Sequence, residues 1–337
     1  MPDPDGDRLV RAVAGAADRH GAAVVAVTRQ GTTSVHCTGL ADPARGLPAD
    51  QRTRFEIGSL TKTFTVLLFA VLVAEGRVDL HEPLVRHLPA DTLPADPDAQ
   101  RITAYHLATH TSGLPHHPPR LRPWNLPVLT TNPYSRYQRE HLFAHLSRAR
   151  LSHPPGTATA YSNLAVGLLG HLIEDAAGDT YGNLLREKVL TPLDLTDTTG
   201  DPALPQALGH WHGRPRPPNR VPAIPAAGGL RSSAHDLTRY LHHLIEPGAD
   251  LPRPLRSALH IVLHPPADPG TPLIWHTRTV HGRALYSHPG GTRGHSAFIG
   301  FCPRAAVTVV ALTSNGHTRK STFIRDSRRL LRHHAST

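Results

Sequence analysis

Ser59 and Lys62, in the run Phe55-Glu56-Ile57-Gly58-Ser59-Leu60-Thr61-Lys62, have the residue types and spacing of a serine nucleophile with its own base. Lysine is scarce here: three lysines stand against thirty-three arginines. Arginine holds its proton at any working pH, whereas a desolvated lysine can lose its own and take one from a hydroxyl. Retention of lysine at this spacing therefore points to acyl transfer through Ser59.

The run from Lys62 to Ala74 is too apolar for a surface helix and predicts a buried one, closed at Gly76 by a left-handed cap. With Ser59 opening that helix, Lys62 falls one turn on and on the same face. The helix N-terminus would also aim backbone N–H groups at a developing oxyanion. A serine that only caps a core helix would read the same at this single motif. Two further segments bear on the choice. Tyr161-Ser162-Asn163 precedes a helical stretch, Leu164 to Ala177, closed by Gly178; by itself it also reads as an N-cap beside a packed aromatic. His288-Pro289-Gly290-Gly291-Thr292-Arg293-Gly294 precedes the strand-like Ser296 to Cys302 and Ala306 to Thr313, and alone would pass for a glycine-rich hairpin.

The remaining elements frame these motifs. A helix is expected over Arg8 to Arg19, then strands over Ala22 to Thr28 and Thr33 to Leu40 joined as a hairpin through Gln30-Gly31. An amphipathic helix is expected over Ser321 to His334, with Phe323, Ile324, Leu330 and Leu331 inward. Pro289 cannot donate to a ladder and belongs at the start or exposed edge of its strand.

Taken in order, S-x-x-K, Y-x-N and H-x-G resemble the serine β-lactamase and penicillin-binding-protein superfamily, in its class C-like esterase branch. Leu107-Ala108-Thr109-His110-Thr111-Ser112-Gly113-Leu114-Pro115 looks like the loop leading into that family's helical region. Ala227-Gly228-Gly229-Leu230-Arg231-Ser232-Ser233 is similar to its segment flanking the active site, with Asp236 expected to complete a capping box on Ser233. The resemblance implies an α/β (α+β) fold: an antiparallel sheet flanked by helices from residues 1–77 and 216–337, and a helical insertion over 78–215. The active site would lie in the cleft between them.

The same resemblance assigns roles. Ser59 would attack an ester or amide carbonyl, and Lys62 and Tyr161 would share its proton, either of them as base once burial and the other's charge had lowered its pKa. Asn163 would hold Lys62 and a polar group of the substrate. The backbone N–H groups of Ser59 and Gly291 would form the oxyanion hole, with Gly228, Gly229 and Gly290 along the substrate. Enzymes that hydrolyse β-lactams mostly carry lysine where His288 stands; a largely neutral histidine does not require an anion beside the scissile bond. The proline-rich Pro115 to Tyr137, with Trp124 within it, reads as a lid over the substrate. The implied chemistry is an esterase or transacylase acting on a small-molecule acyl donor, with water, an amine or an alcohol as acceptor and no cofactor. A β-lactamase or D,D-peptidase proper is the alternative, and a non-catalytic ligand-binding member is an alternative of another class.

Composition sets outer bounds. The formal charge of +10 invites nucleic acid, but aromatics are only 5% and no basic stripe is interleaved with them. The arginines of the C-terminal helix read as a solvated basic face. Among twenty-six histidines, the pairs His116-His117, His242-His243 and His333-His334 are not read as metal ligands, because neighbours along an element should point apart. Cys37 and Cys302 are expected as buried free thiols rather than a disulfide. No secretory signal or membrane span is visible, so a cytoplasmic location is expected. Oligomeric state is not legible.

Overall fold

The computed structural model describes residues 3–15, 21–89, 92–117, 132, 134–267, 270–316, 318 and 321–336. Its centre is a six-stranded antiparallel sheet of β1 (Ala23–Arg29), β2 (Thr32–Thr38), β3 (His276–Val280), β4 (Arg283–Gly291), β5 (Ser296–Cys302) and β6 (Val307–Thr313), in the order β2-β1-β6-β5-β4-β3. β1 joins the two ends of the chain, with Ala23 opposite Thr313 of β6 on one side and Thr38 of β2 on the other. The hairpin turn at Gln30 and Gly31 has φ of 47° and 78°, the doubly left-handed geometry that matches strand twist.

Two apolar layers cover the sheet, which is why β1, β5 and β6 read as apolar runs rather than alternating patterns. On one face α1 (Pro4–Gly15) and α6 (Phe323–Ser336) close a core with Val25, Val27, Phe298 and Val309. On the other, Val24, Ala297, Ile299 and Leu312 join a larger core containing α2 (Thr61–Ala74), α3 (Asn163–Ala177), α4 (Ala234–Ile245) and α5 (Arg253–Ile261). α2 is buried all round from Thr61 to Leu72. Its threonines use the backbone: Thr63 Oγ1 donates to Leu60 O (2.8 Å), and Thr65 Oγ1 to Ala226 O (2.7 Å). The helix ends as expected, with Gly76 at φ 71°. Pro289 also sits as expected, since β3 pairs with β4 only as far as Ser287 and leaves Pro289 no strand on its outer side.

Several expectations are corrected. Cys37 lies on β2, an edge strand exposed along its whole length, and is itself exposed; only Cys302 is buried. Ser233 caps α4 by accepting from Asp236 N at 3.1 Å, but the Asp236 carboxylate accepts from Asp197 N and Thr198 Oγ1, both at 2.8 Å, so the second half of the box is absent. Two of the three adjacent histidine pairs do not point apart: the rings of His116 and His117 stack at 4.0 Å, and His333 and His334 both approach Asp3, at 3.0 and 3.5 Å. No described helix is long and apolar enough to cross a membrane.

Candidate active site

Ser59 does not open α2 itself. It lies in the short turn Gly58–Leu60 just before it, which keeps its side chain half-buried and facing a cavity of about 1190 Å³. Glycine is required at 58: φ is 50°, and a Cβ there would stand 2.4 Å from Gly291 O. A Cβ on Gly290 would similarly meet Ile57 O at 2.1 Å. These two contacts bring the end of β4 directly against the serine turn, and Ser59 and Gly291 both line the cavity.

Lys62 is fully buried, with Nζ 2.9 Å from Ser59 Oγ and donating to Ala227 O at 2.6 Å. Among the described residues no carboxylate pairs with it, and burial lowers its pKa to about 7. Tyr161 donates its hydroxyl to Ser59 Oγ at 2.7 Å, and its ring lies 5.0 Å from Lys62 Nζ. Burial moves the phenol the other way, up to about 12. The expectation that either group would be lowered is thus corrected: desolvation disfavours the charged form, which is the ammonium of lysine but the phenolate of tyrosine.

The elements around Tyr161 explain its placement. Ser162, not Asn163, is the N-cap of α3: its Oγ accepts from Ala165 N (2.9 Å) and donates to Pro115 O (2.7 Å). His110, at a left-handed φ of 59°, packs its ring 4.4 Å from that of Tyr161 and accepts from Ser162 N at 3.2 Å. Burial, with Lys62 adding to it, takes His110 down to about 3.

Other expected site residues divide. Asn163, Gly228 and Gly290 line the cavity with Ser59 and Tyr161. Asn163 does not hold Lys62: its Nδ2 donates to the Tyr134 hydroxyl at 3.4 Å, and Tyr134 in turn bonds His117 Nδ1. Gly229 faces a separate, smaller cavity, and its role is close packing, a Cβ there standing 2.8 Å from Pro225 O. His288 is 1% exposed, does not line the main cavity, and has Nδ1 2.8 Å from Pro289 O. Burial first, then His276 and Lys62, hold it well below its ordinary pKa, so it is neutral because of its surroundings. Trp124 lies outside the described residues; of the lid segment, Tyr134 reaches the cavity and Tyr137 is in the core.

Glu56 is a site-framing residue that the motifs did not single out. Burial would raise its pKa, but His295, Thr292 and Asn219 N bring it to about 2. One oxygen accepts from Asn219 N at 2.6 Å and the other from Thr292 Oγ1 at 2.5 Å, so one carboxylate ties two cavity walls together. The opposite correction applies to the basic face of α6: Arg325, Arg328 and Arg332 border the same cavity as Ser59.

An antiparallel sheet clad in helices, with a serine hydroxyl between a buried amine and a phenol at its edge, defines the serine β-lactamase class of folds. The chain belongs to the β-lactamase family, whose family model, described as Beta-lactamase, matches residues 7–333. It is 33% identical over 191 residues to the D-alanyl-D-alanine-carboxypeptidase/endopeptidase AmpH of Escherichia coli K12 (56% of this chain, 48% of AmpH). It is 29% identical to the esterase EstB of Burkholderia gladioli, covering 82% of each, and 29% identical to a β-lactamase of Pseudomonas fluorescens, covering 70% of this chain and 62% of that one. The match thus spans about half the length of AmpH. Among solved structures, a class C β-lactamase superposes with a TM-score of 0.81 at 20% identity, covering 99% of this chain and 95% of its own. A β-lactamase/D-alanine carboxypeptidase from Pseudomonas syringae gives 0.77 at 21%, covering 97% and 98%.

Proposed function

We propose that this serine hydrolase works through a covalent acyl-Ser59, cleaving an ester or amide or passing its acyl group to an amine or alcohol. The observation that carries the reading is the position of Ser59 Oγ, 2.9 Å from an amine that burial brings to about 7 and 2.7 Å from a protonated phenol. The neutral Lys62 amine takes the serine proton as Oγ bonds to the carbonyl carbon, a contribution of roughly 10²–10⁴ in rate. The N–H groups of Ser59 and Gly291 receive the developing oxyanion. Tyr161, kept protonated by its raised pKa, gives its proton to the leaving group and recovers one from Lys62. Water or an organic acceptor then attacks the acyl carbon, losing its proton along the same route, and Ser59 departs with one.

Esterase chemistry is favoured over cell-wall peptide chemistry by the long match to EstB and by a neutral, buried group at His288. A purely ligand-binding role would leave the buried Lys62, held against Ser59 Oγ, without use. The test is acylation by a fluorophosphonate or a p-nitrophenyl ester, read by intact mass and peptide mapping. Labelling at Ser59 that disappears in Ser59→Ala is expected; undiminished labelling in that variant refutes the assignment. Incubating an ester with amines and alcohols then separates transfer, which yields amide or new ester, from hydrolysis, which yields free acid alone.

A further inference from the structure

The charge of the cavity that holds Ser59 is one-sided. Arg278, Arg293, Arg325, Arg328 and Arg332 line it, and among the described residues no aspartate or glutamate does. Arg278, Arg328 and Arg332 carry no ion pair among the described residues, while Arg325 has only a contact at 3.1 Å with Asp326. On α6 the three arginines follow one another at three and four residues, the spacing of a single helical stripe. That stripe spans about 10 Å along the helix axis. Arg278 stands on β3 opposite Leu285.

Arg293 lies two residues past Gly291, but Arg278 is separated from the chemistry. Gly290 packs on the serine turn, and Arg278 is registered five residues back along β4, at Leu285. At the rise of an antiparallel strand this is about 17 Å between backbones, and an arginine side chain reaches back over several of them. The floor between is largely apolar: Leu285, Ser287 and Pro289 from alternate positions of β4, with Ile324 and Leu331 from α6, of which only Ser287 is polar. A carboxylate adjacent to the scissile bond would not meet Arg278. A single remote carboxylate would occupy the fork of one of these arginines. Several guanidinium groups at the end of an apolar trough match a group with three terminal oxygens and two charges.

We propose that the arginines of α6 and β3 bind a phosphate-type dianion at the far end of an extended, largely apolar arm whose carbonyl lies at Ser59. This rests on the acyl-Ser59 reading above and adds the class of substrate. The arm belongs to the acyl group or to the leaving group, and the two are told apart by substrate design.

The experiment compares ω-phosphonodecanoyl p-nitrophenyl ester with its uncharged dimethyl phosphonate isostere, and with ω-phosphonopropanoyl p-nitrophenyl ester, whose arm is too short to reach. A parallel arm uses the acetyl thioester of ω-phosphonodecanethiol and its dimethyl isostere, followed by thiol release. Charge-assisted bonds to the dianion predict a kcat/KM for one long phosphonate roughly ten- to hundredfold above its isostere. The short ester should show no such preference. Preference on the ester places the dianion on the acyl side, and preference on the thioester places it on the leaving group. The ratio should fall toward unity in Arg328→Gln/Arg332→Gln and at an ionic strength of about 0.5 M, where the Debye length is ~4 Å. Because the readout is a ratio within each protein, a general loss of activity cancels. Binding of decylphosphonate to Ser59→Ala, measured by calorimetry with and without the double substitution, needs no turnover. Arginine-dependent binding without any ester cleavage would sink the acyl-enzyme reading and leave the anion site standing. No preference in either arm, or one that survives the double substitution, overturns the proposal.

Discussion

Replacing Lys62 by methionine, similar in volume but without charge, should abolish turnover and make the protein more stable. Lys62 has an ordinary value of 10.5 when the chain is unfolded and about 7 when folded. At about 1.4 kcal/mol per tenfold, keeping this amine buried costs the folded state about 5 kcal/mol at pH below 7. Against this, the lysine's bonds to Ser59 Oγ and Ala227 O contribute about 1 kcal/mol each. The net expectation for Lys62→Met is about 3 kcal/mol of added stability near pH 6. With an unfolding entropy of ~2.1 cal/mol/K per residue, that raises Tm by ~4 °C for a chain of this length. The sign follows from proton counting: between about 7 and 10.5 the unfolded chain binds a proton that the folded one does not, so wild-type stability climbs with pH across that window. The advantage of the variant should therefore shrink as pH rises and reverse at about pH 9, where the remaining burial cost equals the roughly 2 kcal/mol of lost hydrogen bonds, leaving only that loss above 10.5. Thermal unfolding of both proteins from about pH 6 to pH 10.5 measures this. A variant less stable at pH 6, or a gap that does not narrow with pH, would refute the claim that Lys62 is held neutral by burial.

On an uncharged ester, kcat/KM should rise with pH to a plateau with a midpoint at about 7, following Lys62; a midpoint near 10 would show an unperturbed base. Gly58→Ala should lower kcat roughly 10²-fold or more, because its Cβ would enter the space of Gly291 O and disturb the proposed oxyanion donor; unchanged single-turnover acylation would count against that geometry. Glu56→Gln should cost on the order of 3 kcal/mol in urea unfolding, since it breaks a buried ionic network at Thr292, Asn219 and His295; a loss under 1 kcal/mol would assign that network little weight.

Much of the architecture is legible because it rests on local rules. The hairpin at Gln30-Gly31, the apolar α2 with Gly76 beyond it, the two last sheet strands and the edge position of Pro289 all follow from turn chemistry, periodicity and missing donors. Ser59, Lys62 and Tyr161 are legible as motifs, and the fold brings them within hydrogen-bond distance. What was not legible depends on tertiary neighbours. Cys37 reads as a buried strand residue, and only the position of β2 at the sheet edge exposes it. The capping box on Ser233 fails because Asp197 and Thr198, nearly forty residues away, claim the Asp236 carboxylate. Asn163 is drawn to Tyr134, a partner on a segment without periodicity. Ile324 reads as an inward residue with Phe323, yet it is only partly buried and borders the cavity beside the arginines. An arginine on the outer stripe of a helix looks the same in sequence whether water or a substrate trough lies in front of it.

The pairing of β1 with β6 shapes how this chain comes into being. β1 is complete by Arg29, but the strand that covers its second edge ends at Thr313. During synthesis at about 5–20 residues per second, the segment Ala22-Ala23-Val24-Val25-Ala26-Val27 waits on the order of tens of seconds with one ladder edge open. Its composition is that of a strand prone to pair with other chains. The serine turn matures equally late, since Gly58 finds its neighbour only when Gly291 arrives. A chain that stops short of Gly291 therefore lacks the wall against which the serine turn packs, and the period of greatest aggregation risk is also the period in which the proposed acylation site is incomplete.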